Sequence, residues 1–261
     1  MYRKFSYVLL LILALTAFLA PAYSADLPKI GVILKSIESS MEIRSDAKGK
    51  VAMTQQKVEE GVKTMELIYY RRDKDNAFLM IITAPESDKG NGYLRVDENF
   101  WMYRRNTRTF QHINRDESIG GSDARGDDFE NRKLSELYAP ATAEKGGREI
   151  ISEETLGSIP VYKFELKAIA NDVDYPRKIY WVRRDNYLPL KEESYSSSNM
   201  LMQTAYYLKY TTLEGKFVPV KQMFIDEFEK GNKTVVELSG LSTEKLNDEI
   251  FTKAYLENLS K

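Results

Sequence analysis

Residues 162–168 read YKFELKA, and this strict alternation of apolar and charged side chains is the feature that decides the fold. The apolar positions are Tyr162, Phe164, Leu166 and Ala168, and the charged positions are Lys163, Glu165 and Lys167. Because successive side chains of a β-strand point to opposite faces, the pattern predicts a strand with one buried and one solvated face. We expect the large apolar side chains to face the interior of a sheet.

Shorter patterns on both sides of this strand predict that it belongs to a large antiparallel sheet or barrel. Turn signals such as Glu214-Gly215 and Gly231-Asn232 separate the candidate strands, and no helical pattern lies between them. This order of elements predicts an α+β fold that is mainly antiparallel β. The further candidate strands are 65–70, 77–83, 92–96, 100–104, 109–113, 178–183, 188–195, 203–212, 216–228 and 234–241.

Helical patterns flank the strands. Apolar residues at helical spacing predict a helix over 30–41, and Asn247 is a candidate cap for a second helix that closes the chain. The glycine-rich connection 115–148 is longer than most connections in a compact domain, and it contains one candidate helix over 128–138. Such a segment is typical of a lid or of a disordered spacer, and we favour a lid.

The N-terminus has the layout of a secretory signal peptide. Arg3 and Lys4 precede an apolar run that ends at Ala20, and small residues follow at Ala22 and Ser24. The run is short for a membrane span. We therefore expect a cleaved signal peptide over residues 1–24, a single domain over 25–261, and a periplasmic location.

Composition excludes several classes of site. The chain has no Cys and one His, so disulfides, thiol nucleophiles and zinc sites built on Cys or several His are ruled out. With 38 Lys and Arg against 39 Asp and Glu, the net charge is −1, which lacks the basic excess typical of nucleic-acid binding. We expect no nucleic acid, no cofactor and no metal.

The polar motifs that remain give weak signals for chemistry. His112 lies in a candidate strand with no Gly-x-Ser-x-Gly motif in the chain, so a structural role is favoured over catalysis. Arginine pairs at strand ends, among them Arg71-Arg72, fit solubilising rims better than headgroup sites. An acidic group in the long connection has no calcium-loop spacing, and we interpret it as a solvated loop; its members are Asp116, Glu117, Asp123, Asp127, Asp128 and Glu130.

The strands carry many aromatic and methionine residues. A sheet that closes only partly either buries its own core or leaves an apolar cavity for a ligand. Thioether side chains adapt to variable apolar guests, but they also fill gaps in a core, so both interpretations stay open. The methionines concerned are Met80, Met102, Met200, Met202 and Met223.

Motifs spread along the chain resemble a known family. Residues 82–95 read ITAPESDKGNGYLR, 100–103 read FWMY, and 121–123 read GSD, followed by Asp128-Phe129. In this order they resemble the outer-membrane lipoprotein-sorting protein family, the LolA-like group, and more closely an uncharacterised branch of it. The resemblance continues to the end of the chain through Trp181-Val182, 187–191 (YLPLK), Val218-Pro219 and 251–256 (FTKAYL).

The resemblance implies an open, curved half-barrel of the LolA/LolB-like type, closed by helices around an apolar cavity that holds acyl chains. It implies a periplasmic, non-enzymatic carrier or sensor for the acyl chains of a lipid or lipoprotein, acting in lipoprotein sorting or lipid transport. An inner-membrane transporter and an outer-membrane acceptor are the implied partners. The alternatives are an envelope-stress regulatory or transporter-associated docking module of the same fold and, third, a lipid hydrolase.

Two sets of residues are the candidates for this function. The strands supply the candidates for the cavity, and the opening helix and the long connection supply those for the lid. The cavity candidates are Leu67, Tyr69, Met80, Trp101, Tyr162, Phe164, Leu166, Trp181 and Met223. The lid candidates are Ile33, Ile37, Phe129 and Leu134.

Overall fold

A computed structural model describes residues 26–129, 132–144 and 146–260. The predicted signal peptide, residues 1–24, and Glu130 of the acidic group lie outside the described residues. No helix in the described ranges is both long and apolar enough to cross a membrane.

Fourteen strands of the described residues form one open, curved, antiparallel sheet. The strand order is β6-β5-β4-β3-β2-β1-β14-β13-β12-β11-β10-β9-β7, and β8 pairs with β9. The predicted fold class is therefore confirmed. The strands are β1 Ala47–Lys57, β2 Gly61–Arg72, β3 Ala77–Ala84, β4 Gly92–Val96, β5 Asn99–Arg104, β6 Thr109–His112, β7 Tyr138–Pro140, β8 Ile151–Leu156, β9 Ile159–Ala168, β10 Arg177–Arg183, β11 Pro189–Tyr195, β12 Leu201–Leu213, β13 Lys216–Asp226 and β14 Lys233–Thr243.

The opening helix was predicted correctly. Helix α1 spans Ile30–Met41, and its apolar stripe of Ile30, Ile33, Leu34 and Ile37 is buried. These residues pack on Phe164 and its neighbours in β9 and β10. A single narrow apolar stripe is enough to place a helix on a sheet.

The other two predicted helices are wrong in extent. Instead of one helix over 128–138, the described residues form a 3-10 turn at Gly126–Phe129 and the four-residue α2, Leu134–Leu137. Lys133 is extended before α2, and β7 begins directly after it because that strand pairs with β9. Asn247 does cap, but it caps a 3-10 turn at Asp248–Phe251; the extended Thr252 interrupts the helix and caps α3, Lys253–Leu259.

The two faces of the sheet are covered by different parts of the chain. We call the face under α1 the inner face. One cross-strand row on it runs through six strands and into β1 by direct pairing: Phe164, Tyr180, Glu192, Ala205, Phe224, Thr234 and Gln55. On the outer face, α3 packs on β3 and β4 around Leu79, Leu94 and Leu256.

A buried ion pair fastens the C-terminal segment to the outer face. The Arg72 guanidinium donates two hydrogen bonds to the carboxylate of Asp46, at 3.0 and 2.8 Å, and one to Asp248 at 2.6 Å. It also lies 4.7 Å from the ring centre of Phe251. Burial tends to raise the pKa of Asp46, but the contact with Arg72 holds this pKa below its usual value.

Candidate functional site

Two apolar clusters lie on the inner face, each under its own cover. The first fills the face of β1–β5 and continues onto β12–β14, and it is covered by Ile113, Ile119 and Ala124. We call residues 113–126 the strap. The second cluster fills the face of β9 and β10 and is covered by α1. The two covers leave an uncovered region between them.

Buried polar side chains of the sheet fix the strap. Each bonds to strap backbone or to Asp123, so their polar atoms have partners although they face inward. The contacts are Gly120 N to the Tyr93 hydroxyl (2.8 Å), Gln55 Nε2 to Gly121 O (2.5 Å), Gln203 Nε2 to Asp123 O (3.1 Å), Asp123 N to Thr234 Oγ1 (3.0 Å) and Thr234 Oγ1 to Asp123 Oδ2 (2.8 Å). Lifting the strap would leave several buried polar groups unpaired, at about 1–3 kcal/mol each. The strap is therefore held to the sheet by the side chains of Gln55, Tyr93, Gln203 and Thr234.

A cavity of about 510 Å³ lies between α1, α2, residues 128–129 and strands β10–β13. Its apolar lining comes from both the covers and the sheet: Ile37, Phe129, Leu134, Val218, Phe224 and Leu238. Because the strap and α1 each cover their own cluster, neither fills this space.

One wall of the cavity is polar. Lys178 in β10 forms an ion pair with the buried carboxylate of Glu192 in β11. Tyr207 and Ser194 each donate a hydroxyl hydrogen bond of 3.2 Å to Glu192. Burial alone would raise the pKa of Glu192, but Lys178 together with hydrogen bonds from tyrosine hydroxyls lowers the pKa below its usual value. The carboxylate therefore stays ionised and paired.

Ion pairs connect the covers at the edge of the cavity. Arg132, which precedes α2, contacts both carboxylate oxygens of Asp172 at 3.0 and 3.1 Å, and Arg115 of the strap reaches the same carboxylate at 2.6 Å. Hydrogen bonds from Arg132, followed by those from Arg115, lower the pKa of Asp172. Asp172 lies in the β9–β10 connection, so this cluster joins three segments that border the cavity.

A second cavity of about 870 Å³ lies on the other side of the strap. Its lining includes the thioethers of Met53, Met65 and Met102, together with Ile82 and Tyr93. Its edge is formed by the β1–β2 and β3–β4 turns. The strap thus separates two cavities on the same face of the sheet.

The structure brings together part of the predicted cavity set. Tyr69 lines the first cavity. Leu67 and Met80 are buried in the cluster under the strap. The β9 residues Tyr162, Phe164 and Leu166 pack in the cluster under α1.

Three predicted cavity residues lie on the outer face. Trp101 packs in the cluster around α3, and Trp181 packs with Val161 and Ile179. Met223 lies between Gln222 and Phe224, which both line the cavity, so the pleat turns Met223 away.

Among the lid candidates, Ile37, Phe129 and Leu134 line the first cavity, and Ile33 is buried between α1 and the sheet. The polar side chains that hold the strap and form the cavity wall were missed by the sequence analysis. A polar residue at an inward position of a strand is their only sequence signal. It could be recognised only once the register was known.

Residues 74–258 match a family model described as "Uncharacterized protein". This match covers well over half of the chain. The chain belongs to this family of uncharacterised proteins. Curated proteins give no match.

Solved structures with the same architecture extend this identification. A LolA superfamily protein from Nitrosomonas europaea is 20% identical, with a TM-score of 0.72 over 88% of this chain and 100% of its own. An outer membrane lipoprotein-sorting protein domain from Vibrio parahaemolyticus is 17% identical, with a TM-score of 0.74 over 87% of this chain and 97% of its own. A DUF1329 family protein from Desulfovibrio piger is 20% identical, with a TM-score of 0.75 over 87% of this chain and 98% of its own. At these identities the likeness shows the fold, which is LolA-like, as the sequence motifs predicted.

Proposed function

We propose that this chain is a periplasmic, non-enzymatic carrier or sensor that binds acyl chains of a lipid or lipoprotein in the cavity under α1 and α2. The cavity itself supports the proposal, because its volume of about 510 Å³ lies within the usual range for ligand sites, about 300–1,000 Å³. Two of the similar structures, a LolA superfamily protein and an outer membrane lipoprotein-sorting protein domain, agree with it by name.

Burial of hydrocarbon supplies the binding free energy. Each methylene that leaves water contributes about 0.8 kcal/mol, so five methylenes against Ile37, Phe224 and Leu238 contribute roughly 4 kcal/mol before the cost of association. Transport and storage of such a ligand require no bond to be made or broken. The paired Lys178 and Glu192 serve as the polar wall on which the ligand's ester or amide end rests.

The covers differ in how firmly they are held, and this suggests the entry route. Besides its buried apolar stripe, α1 is held by only a few polar contacts, mostly at exposed sites: Ser135 N to Glu38 Oε1 at 2.8 Å, Lys216 Nζ to Ser39 O at 2.6 Å, and Ile30 N to Glu149 Oε2 at 2.8 Å. Exposed contacts of this kind contribute little to stability. We therefore assign the movable part of the lid to α1 and α2, with the strap fixed.

Filling the cavity tests the proposal. Ala205 is buried and lines the cavity floor, so Ala205→Trp should block it, and Ala205→Leu should fill it partly. The matched control is Leu208→Trp, on the same strand with an exposed side chain. A fluorescent fatty-acid probe should bind the wild type and the control alike, and the two floor variants with affinities reduced in order of side-chain volume.

Native mass spectrometry of protein purified from the cell envelope provides the second measurement. A lipid recovered at about one per chain supports the carrier or sensor. Wild-type binding by a folded Ala205→Trp protein would contradict the assignment of this cavity. Protein that neither carries lipid nor binds the probe would contradict the function.

A further inference from the structure

Exposed apolar side chains concentrate at one end of the sheet. The β1–β2, β13–β14, β11–β12 and β9–β10 connections are four successive tips at this end, because the strands they join follow one another in the sheet. The β3–β4 and β5–β6 turns lie at the same end, beyond the β1–β2 turn, and expose no large apolar side chain. Each tip has at least one large apolar residue between 49% and 70% exposed. We call these residues the apolar rim: Val58, Val62, Phe228, Met200 and Ile169.

The opposite end of the sheet has a different composition. Its tips join β2 to β3, β4 to β5, β8 to β9, β10 to β11 and β12 to β13. Their sequences are 73–76 (DKDN), 97–98 (DE), 157–158 (GS), 184–188 (RDNYL) and 214–215 (EG). The apolar Leu188 among them is buried. Both ends consist of ordinary hairpin turns, so turn formation does not account for the apolar side chains of the rim.

The spacing of the rim residues indicates the kind of partner. Successive hairpin tips are two strand spacings apart, about 9.6 Å. A protein partner usually buries one contiguous apolar core with a polar edge. Side chains that stand apart are better buried in fluid hydrocarbon, which surrounds each of them separately.

The charges around the rim indicate how it would bind. The four tips, residues 57–63, 169–176, 196–200 and 227–233, together carry four Lys, four Glu and two Asp. Such a balance gives little attraction to an anionic surface, so binding would come from burial of the apolar side chains. The second cavity opens at the same end, since Lys57, Glu60 and Lys63 of the β1–β2 turn line it.

We propose that the apolar rim docks the protein on a lipid bilayer, with Val58, Met200 and Phe228 inserted at the interface and the mouth of the second cavity facing the membrane. The inference rests on the proposed carrier or sensor function, to which it adds the surface that meets the membrane. Docking in this orientation turns the second cavity, which the strap separates from the first, toward the hydrocarbon.

Flotation with phosphatidylcholine vesicles tests this surface. The triple substitution Val58→Ser, Met200→Ser and Phe228→Ser should lower the partition coefficient at least tenfold. The control substitutions Val32→Ser and Leu208→Ser remove similarly exposed apolar side chains away from the rim. They should change the partition coefficient less than twofold. Raising the salt from 50 to 500 mM should also change wild-type binding less than twofold.

Insertion is measured directly with Phe228→Trp. Its fluorescence should shift to the blue on phosphatidylcholine vesicles and be quenched by brominated lipid, beyond the response of Trp101 and Trp181 in the wild type. The proposal would be overturned if the triple variant partitioned as the wild type does. It would also be overturned if the wild type bound only to anionic vesicles at low salt. A wild type that self-associates through the rim and ignores vesicles would overturn it too.

A probe assay without vesicles separates this inference from the proposed function. The triple variant should bind the fluorescent fatty acid as the wild type does, because its substitutions lie outside the first cavity. Probe binding without vesicle binding by the wild type would reject the docking surface and leave the carrier or sensor intact.

Discussion

Thr234→Val tests whether the strap is fixed to the sheet. Thr234 is fully buried, and its hydroxyl accepts from the backbone amide of Asp123 at 3.0 Å and donates to the Asp123 carboxylate at 2.8 Å. Valine has nearly the same shape but makes neither bond. Two polar groups would then lack partners, at about 1–3 kcal/mol each, so we expect a loss of about 2–6 kcal/mol in the free energy of unfolding.

Urea unfolding followed by circular dichroism measures this loss, with an unchanged m-value as the sign of the same transition. Burial raises the pKa of Asp123, and the bond from Thr234 opposes the rise. Removing that bond raises the pKa of Asp123 further. Stability from a group with a raised pKa is lost as pH rises through its folded pKa, so the variant should lose more free energy of unfolding at pH 7 than at pH 4.

The matched control is Thr212→Val, at an exposed position of β12, which should change the free energy of unfolding by less than about 0.5 kcal/mol. A loss for Thr234→Val as small as that of the control at pH 7 would show that the strap is not held by these bonds, and the lid would then have to include it.

The remaining predictions concern the lid, the ion pair, the histidine and the N-terminus. Hydrogen exchange on adding a fatty acid should change in α1 but not in the strap; equal changes in both would refute the division of the lid. Asp46→Asn should lower the free energy of unfolding at pH 7, measured with urea, by about 3 kcal/mol. Because the folded pKa of Asp46 is lowered, this difference should shrink as pH falls below about 3.9, and a gap that persists at pH 2 would contradict the assignment. His112→Ala should leave fatty-acid affinity unchanged, and a large loss would revive an imidazole-dependent site. N-terminal sequencing of exported protein should start between Tyr23 and Asp26, whereas a chain starting at Met1 in the membrane pellet would contradict cleavage.

The strands and the opening helix could be predicted because their local patterns agree with their tertiary roles. β9 has one buried face, and the stripe of α1 lies on that face. Three strands were missed. β1 has Gly49 and Gln55 at inward positions, β7 has only three residues, and β8, ISEETL, has no buried residue and no clear alternation.

The site was predictable only in part, since its key residues depend on which face of a strand turns inward. Residues 179–182 are all apolar and buried, so periodicity could not show that Trp181 points outward while Tyr180 points inward. Gln203 and Thr234 look like ordinary strand residues until the strap is placed over them. Lys178 and Glu192 are far apart in sequence, and only the β10–β11 register brings them together.

A sheet that stays open keeps two edges, and in the described part of the chain both are short. One edge is β6, with four residues, and the other is divided between β7 and β8, with three and six residues, which both pair with β9. The central β1, β12, β13 and β14 have eleven or more. Edge strands of three to six residues offer few backbone groups in a row for a second chain to add a stable strand. Tapering the sheet toward its margins therefore protects the protein against edge-to-edge aggregation while its centre stays broad enough to hold a ligand.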